Sequence, residues 1–232
     1  MTAGAAAGPV PADPTAAEFA PDVRRRIGAR VARSVLSKFL GPQQAMRASQ
    51  FARLGAPPGH VVLLGDSITE FGLWQEWFAG LPVLNRGIGG ETSADLLRRV
   101  DTAIDRPLGV FLLIGTNDIS QGIRLPEIVG NVRRLLAEIE DRAPGTPVIV
   151  QSVMPRTARF RDDVRLLNAA YRALADQAGD AVRYLDLTPA LADEHGDLRP
   201  AFTGDGLHLN GDGYAAWVEV IRPRVEQLLS GR

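Results

Sequence analysis

Five short apolar segments, rich in β-branched residues, recur along the chain and are separated by stretches with helical periodicity. Short apolar runs of this kind predict buried strands rather than helices. When such strands alternate with helices, they are typical of a parallel sheet covered on both faces. The sequence therefore predicts an α/β domain. Its strands are expected at residues 61–64, 82–84, 110–114, 148–152 and 182–186, with helices at 126–141, 162–178 and 211–229.

The chain ahead of the first strand is predicted to form an extension to this domain. An amphipathic helix is expected over residues 21–40, because apolar side chains recur every four residues among arginines. A second helix is expected from Pro42, a favoured first position, toward Leu54. We predict a flexible tail and helical extension over residues 1–56 and a single domain over residues 57–232. The apolar positions of the first helix are Val23, Ile27, Val31, Val35 and Phe39.

Two roles are open for this extension. It either packs on the domain, or it contacts a membrane surface or the substrate entrance. Residues 1–55 carry eight basic side chains against three acidic ones. This excess of positive charge fits contact with a membrane surface, and it equally fits a helix face that is simply exposed to solvent.

The composition excludes several classes of protein. The 232-residue chain contains no cysteine, so it has no disulfide framework, thiolate metal site or cysteine nucleophile. No apolar run reaches the 18 residues that would predict a membrane span. The N-terminus lacks the basic start and leucine-rich core of a secretory signal. We therefore predict a soluble, cytoplasmic protein.

Three consecutive predicted strands end in polar, glycine-rich clusters. Ser67 follows the first strand where the chain turns into a helix, Gly89-Gly90 follows the second, and Asn117 follows the third. The carboxyl ends of parallel strands meet at one edge of the sheet, where ligands bind in open α/β folds. The three clusters are therefore expected to converge on one site.

A histidine in a polar loop before the last helix is the candidate partner of this serine. His208 stands three residues after Asp205, a spacing that lets the carboxylate hold the imidazole Nδ1 and leave Nε2 free as a base. A serine hydroxyl needs such a base, because it is hardly ionised at neutral pH. The alternative for this pair is an ordinary surface turn.

Acyl transfer at a serine also requires hydrogen-bond donors for the developing oxyanion. The candidates are the Ser67 N–H, a glycine N–H from residues 89–90 and the side-chain amide of Asn117. Each has a plainer alternative: the glycines as a loop of unusual torsion, and Asn117 as a helix cap together with Asp118.

The chain resembles the SGNH hydrolases, also called the GDSL esterase/lipase family, over about residues 60–225. The resemblance implies that Ser67 is the nucleophile, that His208 is the base oriented by Asp205, and that Gly90 and Asn117 complete the oxyanion hole. Gly90 is chosen over Gly89 because the family's glycine usually precedes an acidic residue and Thr. The four family blocks appear as Gly65-Asp66-Ser67, Asn85 to Ser93, Gly115-Thr116-Asn117-Asp118 and Asp205-Gly206-Leu207-His208.

The same resemblance implies a flavodoxin-like three-layer α/β/α sandwich with strand order 2-1-3-4-5, and a reaction that needs no cofactor and no metal. Nucleotide binding is disfavoured on the residues themselves. The segment from Gly87 to Thr92 lacks the last glycine of G-x-G-x-x-G, and the only lysine, Lys38, is in no phosphate-binding loop. A metal site built on His208, Asp205 and Asp66 is conceivable, but a serine mechanism accounts for more of the residues.

The leading functional hypothesis is a serine esterase that removes small or medium acyl groups from a carbohydrate or lipid-like substrate. An acyltransferase, which passes the acyl group to a sugar hydroxyl, would share the same motifs. A non-catalytic carbohydrate-binding module is the third alternative. We expect a small-molecule acyl ester as partner, with a sugar acceptor if the enzyme is a transferase, and no nucleic acid. Peripheral membrane contact and the oligomeric state stay open.

Four large apolar side chains are candidates for the wall of a substrate pocket: Trp74, Trp77, Met154 and Phe202. Helical spacing favours a core position for Trp77 instead.

Overall fold

The computed structural model describes residues 40–230. The amphipathic stretch predicted over residues 21–40 therefore lies outside the described residues, apart from Leu40. No helix between residues 40 and 230 is both long enough and apolar enough to cross a lipid bilayer.

One parallel sheet forms the centre of the fold. Its strands are β1 (Val61–Gly65), β2 (Val83–Gly87), β3 (Gly109–Leu113), β4 (Val148–Gln151) and β5 (Val182–Leu185). They lie in the order β2-β1-β3-β4-β5, and every neighbouring pair is parallel. The central strand β1 is buried along its whole length, as its apolar sequence requires. The predicted parallel sheet and its strand order are confirmed.

Helices cover both faces of this sheet. They are α1 (residues 40–54), α2 (Ser67–Glu70), α3 (Trp74–Trp77), α4 (Ser93–Leu97), α5 (Thr116–Ser120), α6 (Leu125–Arg142), α7 (Arg161–Gln177), α8 (Thr188–Leu191) and α9 (Gly211–Ser230). Successive side chains of a strand point to opposite faces. Val62 and Leu64 accordingly pack with α4, α6 and α7, whereas Val61 and Leu63 pack with α3, α8 and α9. The three-layer α/β/α sandwich is confirmed, and the three long helices lie within one residue of their predicted ends.

A buried aromatic cluster ties α9 to the sheet and to α2. The rings of Trp74 and Trp217 meet edge to face, with 4.8 Å between their centroids. The Trp217 indole donates a 2.7 Å hydrogen bond to Gln151 of β4, and the Tyr214 hydroxyl donates one of 2.7 Å to the Ile68 carbonyl. Buried indole and phenol groups need such partners. Trp74 is fully buried in this cluster, so its predicted place in a pocket wall is wrong; Met154 is buried as well.

The largest differences from the sequence prediction concern the end of β2 and the helix that begins at Ser67. The strand expected at residues 82–84 continues to Gly87, where a side chain would collide with the backbone nitrogen of Glu70. The helix expected to begin at Ser67 ends at Glu70, and a second short helix, α3, begins at Trp74, whose indole ring packs directly over Gly72 and leaves no room for a side chain there. Both differences arise from close backbone contacts, which hydrophobic periodicity does not report.

Helix α1 packs on the domain through Phe51, which is buried. Three guanidinium groups surround its ring, those of Arg47, Arg86 and Arg99, at 5.0, 4.7 and 5.8 Å from the centroid. Arg99 also forms a buried ion pair with Glu91, with 2.6 Å between Nη2 and Oε2. Cations over an aromatic face contribute beyond simple burial. For residues 40–54, therefore, the extension is packed on the domain; the boundary predicted at residue 56 stays a prediction.

Candidate active site

Ser67 is the first residue of α2 and is separated from the end of β1 by one residue. The intervening residue, Asp66, caps α2, because its Oδ1 accepts a 3.0 Å hydrogen bond from the Ile68 N–H. Only 6% of the Ser67 surface is exposed. A side chain at Gly65 would collide with the Leu113 carbonyl of β3 and with Thr69, so glycine is required for this tight strand-to-helix turn.

The structure brings Ser67, His208 and Asp205 into one line of hydrogen-bonded groups. The Ser67 Oγ lies 3.0 Å from the His208 Nε2. On the other side of the ring, the His208 Nδ1 lies 2.6 Å from the Asp205 Oδ2. This arrangement places a basic nitrogen on the serine hydroxyl and a carboxylate behind the ring, as proton removal from a serine requires.

The loop that carries Asp205 and His208 is shaped by the carboxylate itself. The Asp205 Oδ1 accepts hydrogen bonds from the backbone N–H groups of Leu207 at 2.9 Å and His208 at 2.8 Å. Gly206 allows the turn, with a φ of 74°. Partial burial acts to raise the pKa of Asp205, but the hydrogen bonds from His208 and Leu207 outweigh it and hold the pKa well below its usual value. The carboxylate therefore stays ionised behind the ring.

The two glycines predicted near the site have different hydrogen bonds. The Gly89 N–H donates a 2.7 Å hydrogen bond to the Glu70 Oε2, so it is occupied. Among residues 40–230 we find no acceptor for the Gly90 N–H, which makes Gly90 the better candidate of the two. Gly90 has a φ of 76°, in the left-handed region that favours glycine. The loop therefore has unusual torsion, and it lies beside Ser67, whose Cβ is 3.6 Å from the position of a Cβ built on Gly89.

Asn117 lies on the far side of the same loop. Its Nδ2 donates a 2.9 Å hydrogen bond to the carbonyl of Glu91. The N-cap of α5 is Gly115, and no side chain caps this helix, so the alternative role of Asn117 as a cap is wrong. One N–H of the amide thus holds the loop, and the second is left to serve another acceptor.

A buried aspartate beside Asn117 ties the loop to the domain. Asp118 accepts hydrogen bonds from the Ser93 backbone N–H at 2.9 Å and the Ser93 hydroxyl at 2.6 Å. The Asn131 amide of α6 donates to the same hydroxyl at 2.9 Å. Burial raises the pKa of Asp118 despite these donors. From the sequence, Asp118 was expected only as a possible cap, and its structural role was not predicted.

Two ionisable side chains near the site, Asp66 and Arg156, are buried and influence each other's pKa. Burial raises the pKa of Asp66 to about 7; the Ile68 N–H opposes this rise, and the charges of Asp118 and Glu91 add to it. Arg156 is also buried, which lowers its pKa, while Asp66 and Asp205 act in the opposite direction. The positive charge of Arg156 therefore lies within electrostatic reach of both carboxylates.

Two residues that contact the glycine loop, Glu70 and Gln44, belong to none of the four sequence motifs. Glu70 stands three residues after Ser67 on α2 and accepts the Gly89 N–H; its i, i+3 spacing was the available signal. Gln44 of α1 donates from Nε2 to the Gly89 carbonyl at 2.8 Å, and nothing in its local sequence indicates this contact.

The rim of the site is apolar. The ring of Phe71 lies 5.3 Å from the His208 imidazole, between centroids, and is 56% exposed. Leu73 follows two residues later and is 60% exposed. Large apolar side chains that stay in water beside a reactive group commonly mark a binding surface. His208 itself is partly open to solvent, and Asp205 more so.

Within residues 40–230 there is no cluster of three His, Asp or Glu side chains arranged to hold a metal ion. Three groups of side chains meet at the carboxyl edge of the parallel sheet: a serine, a histidine with its carboxylate, and an asparagine beside a glycine loop. The chain is therefore a three-layer α/β protein with a serine just after the first strand of its sheet.

Comparison with known proteins identifies the family within this class. The model of the GDSL-like lipase/acylhydrolase family matches residues 63–216, and the chain therefore belongs to that family. The alpha1 subunit of platelet-activating factor acetylhydrolase IB from Bos taurus is 27% identical over 180 residues, which cover 73% of this chain and 76% of that protein. The alpha2 subunit from Rattus norvegicus is 27% identical over 179 residues, covering 73% and 77%.

Solved structures agree with this membership. A GDSL-like lipase from Bacteroides thetaiotaomicron superimposes with a TM-score of 0.64 at 26% identity, covering 79% of this chain and 97% of that one. A Streptococcus pneumonia protein named for platelet activating factor gives a TM-score of 0.78 at 27% identity, covering 84% and 99%. The acetyl-xylooligosaccharide esterase Axe2 from Geobacillus stearothermophilus, at 19% identity and a TM-score of 0.60, shares the fold.

Proposed function

We propose that this chain is a serine-dependent acyl-ester hydrolase that uses Ser67 as nucleophile, His208 as general base and acid, and Asp205 to orient His208. The observation that carries the proposal is the contact of 3.0 Å between the Ser67 Oγ and the His208 Nε2, with Asp205 2.6 Å behind the ring. Membership of a lipase and acylhydrolase family supports acyl-ester hydrolysis in general; the residue roles are part of the proposal.

The reaction would proceed in two halves. The Ser67 Oγ attacks the ester carbonyl carbon, and its proton passes to the His208 Nε2. The negative charge that develops on the carbonyl oxygen is stabilised by the N–H groups of Ser67 and Gly90 and by the Asn117 amide. As the carbon–oxygen bond to the alcohol breaks, His208 returns the proton to the leaving oxygen. A water molecule, deprotonated by His208, then attacks the acyl carbon of the acyl-serine, and the acid is released as His208 returns the proton to the Ser67 Oγ.

Solvent access supports water rather than a sugar hydroxyl as the second acceptor. The His208 side chain is 32% exposed and that of Asp205 is 54% exposed, so the base is open to bulk water. A transferase must keep water away from its acyl intermediate. We therefore favour hydrolysis over transfer, and the non-catalytic alternative has no support from this arrangement of groups.

The apolar rim supports an ester whose alcohol is lipid-like. Phe71 and Leu73 are exposed, and Phe71 lies against His208, which protonates the leaving oxygen in the proposed mechanism. The names of the relatives bear on the acyl group instead. Platelet-activating factor acetylhydrolases are named for the removal of acetyl, which favours a small acyl group here. We propose a small acyl group, such as acetyl, on an alcohol with an apolar part. Acetylated sugars are the second substrate class to test.

A product-resolved screen tests the proposal. Purified protein would be given esters of acetate to octanoate on short alcohols, long alkyl alcohols and sugars, with and without a free sugar acceptor. The expected result is release of free acid, fastest for short acyl groups on apolar alcohols. Ser67→Ala should lose roughly 10³-fold or more in kcat, as removal of a nucleophile does. A fluorophosphonate should label the wild type at Ser67 and leave the variant unlabelled; turnover surviving in Ser67→Ala would refute the assignment.

A further inference from the structure

We propose that Gln44, in helix α1 outside the region that matches the family, is a positioning residue for the oxyanion hole. It would act by orienting and polarising the peptide group whose N–H belongs to Gly90. This inference rests on the proposed function, because it assigns Gln44 to the site at which the Ser67 intermediate would form. The observation behind it is the 2.8 Å hydrogen bond from the Gln44 Nε2 to the Gly89 carbonyl oxygen.

The geometry of a peptide group makes this contact relevant to the site. The Gly89 carbonyl and the Gly90 N–H belong to the same planar unit, and in a trans peptide the two bonds point in opposite directions. No cis peptide bond occurs among the described residues. A donor that holds the Gly89 oxygen on the α1 side therefore directs the Gly90 N–H away from α1. The same bond polarises the peptide and strengthens its N–H as a donor.

Glycine makes this external support necessary. Gly90 lacks a side chain and has a φ of 76°, so its own sequence does little to select one orientation of the peptide. Helix α1 lies close enough to act: a Cβ built on Gly90 would be 3.1 Å from the Gln44 Nε2 and 2.6 Å from the Leu40 Cδ1. Leu40 and Gln44 thus cover the outer side of the glycine loop together.

The neighbouring peptide groups are held as well. The N–H of Gly89 is bonded to the Glu70 Oε2 at 2.7 Å, and Arg47 of α1 approaches the other oxygen of Glu70 at 3.4 Å. On the far side, Asn117 holds the Glu91 carbonyl at 2.9 Å. The Gly89 carbonyl, held by Gln44, completes the series. Three of the four peptide units between residues 88 and 92 are thereby held by side chains, which is the preorganisation that oxyanion stabilisation needs.

The test compares Gln44→Leu with Gln43→Leu. Both substitutions replace the same amide by a side chain of similar size in the same helix, but Gln43 is exposed whereas Gln44 is half-buried against the loop. For Gln44→Leu we expect kcat to fall roughly 10- to 100-fold with little change in KM, less than the 10²–10³ that loss of a whole donor costs. Gln43→Leu should match the wild type.

Two further measurements separate positioning from general stability. A small trifluoromethyl ketone forms a tetrahedral adduct with the serine and places its oxyanion in the hole, so its inhibition constant should weaken in Gln44→Leu by the same factor as kcat. The thermal midpoint should stay close to that of Gln43→Leu. Gln44→Glu, which keeps the shape but replaces the donor by an anion, serves as a second variant and should lose at least as much activity as Gln44→Leu.

The inference is overturned if Gln44→Leu keeps kcat within twofold of Gln43→Leu, or if only KM rises, since the side chain would then contact bound substrate instead. Loss of activity that merely follows loss of folded protein would also overturn it. Failure of the proposed function is distinguishable from these outcomes: the wild type would then not be labelled by a fluorophosphonate at Ser67, and Gln44 would have no oxyanion hole to position.

Discussion

The side-chain amide of Asn117 donates a 2.9 Å hydrogen bond to the backbone carbonyl of Glu91, which follows Gly90 directly. Asn117 thus holds the loop that carries the Gly90 N–H, one of the proposed oxyanion donors, and its own second N–H is another. The positions of these two donors therefore depend on each other.

This linkage gives a prediction for Asn117→Ala. We expect kcat to fall by roughly 10²–10³ with little change in KM, as for loss of an oxyanion donor. Part of this loss should come from the released loop, so Asn117→Ala and Gln44→Leu should be less than additive in kcat. Steady-state kinetics on the single and double variants check this. A rise in KM with unchanged kcat would show instead that Asn117 binds the ground state.

Asp66→Asn should change how stability depends on pH. Burial raises the pKa of Asp66 in the folded protein from 3.8 to about 7. Between these two pH values the native state therefore binds more protons than the unfolded state. The contribution of Asp66 to stability is therefore greatest below about pH 4 and declines as pH rises through about 7. Asparagine can still cap α2 but cannot ionise.

The measurement is urea unfolding of Asp66→Asn and wild type between pH 4 and 8. The stability of the variant relative to wild type should increase by on the order of 4 kcal/mol across this range, since about three pKa units correspond to that free energy. Asp162→Asn, at an exposed position in α7, controls for removal of one carboxyl group. A difference that does not vary with pH would mean that Asp66 is not protonated in the native protein near neutrality.

Phe71→Ala tests the apolar rim. Removing an exposed ring that would cover part of an alkyl chain should cost about 1 kcal/mol of binding, or roughly fivefold in KM, for esters of long alcohols. The acetate ester of a short alcohol is the internal control, because it would not reach the ring and should be turned over normally. Equal losses on both esters would mean that Phe71 acts through His208, 5.3 Å away, rather than through the substrate.

Phe51→Ala tests the attachment of α1. A buried phenylalanine replaced by alanine typically costs about 3–5 kcal/mol, and here three guanidinium groups also lose their aromatic partner. Leu54→Ala, near the end of the same helix and 73% exposed, should be close to neutral. Chemical unfolding of both variants checks the prediction. If Phe51→Ala is as stable as Leu54→Ala, α1 contributes little to the folded domain.

The sheet was predictable because β1, β3 and β4 are apolar along nearly their whole length, and this depends on local sequence alone. The Asp205 and His208 pair was predictable for a similar reason, since three residues of chain bring the carboxylate to the ring. Gln44 was not predictable, because its contact with Gly89 depends on how α1 docks, which a single sequence does not specify. The end of β2 at Gly87 and the break at Gly72 depend on backbone clearance and were missed for that reason.

Docking of α1 has a practical consequence for anyone who shortens this protein. The family match begins at residue 63, so a minimal unit cut there would lose Phe51 and also the Gly55 carbonyl, which accepts a 2.6 Å hydrogen bond from Arg86. Arg86 would lose both the Gly55 carbonyl and the Phe51 ring, and its guanidinium would lie at a surface that α1 no longer covers. Such a fragment should be less stable and lose activity for reasons unrelated to its chemistry. Chimeras and library designs built on this chain should therefore carry the helix as an integral part of the folded unit.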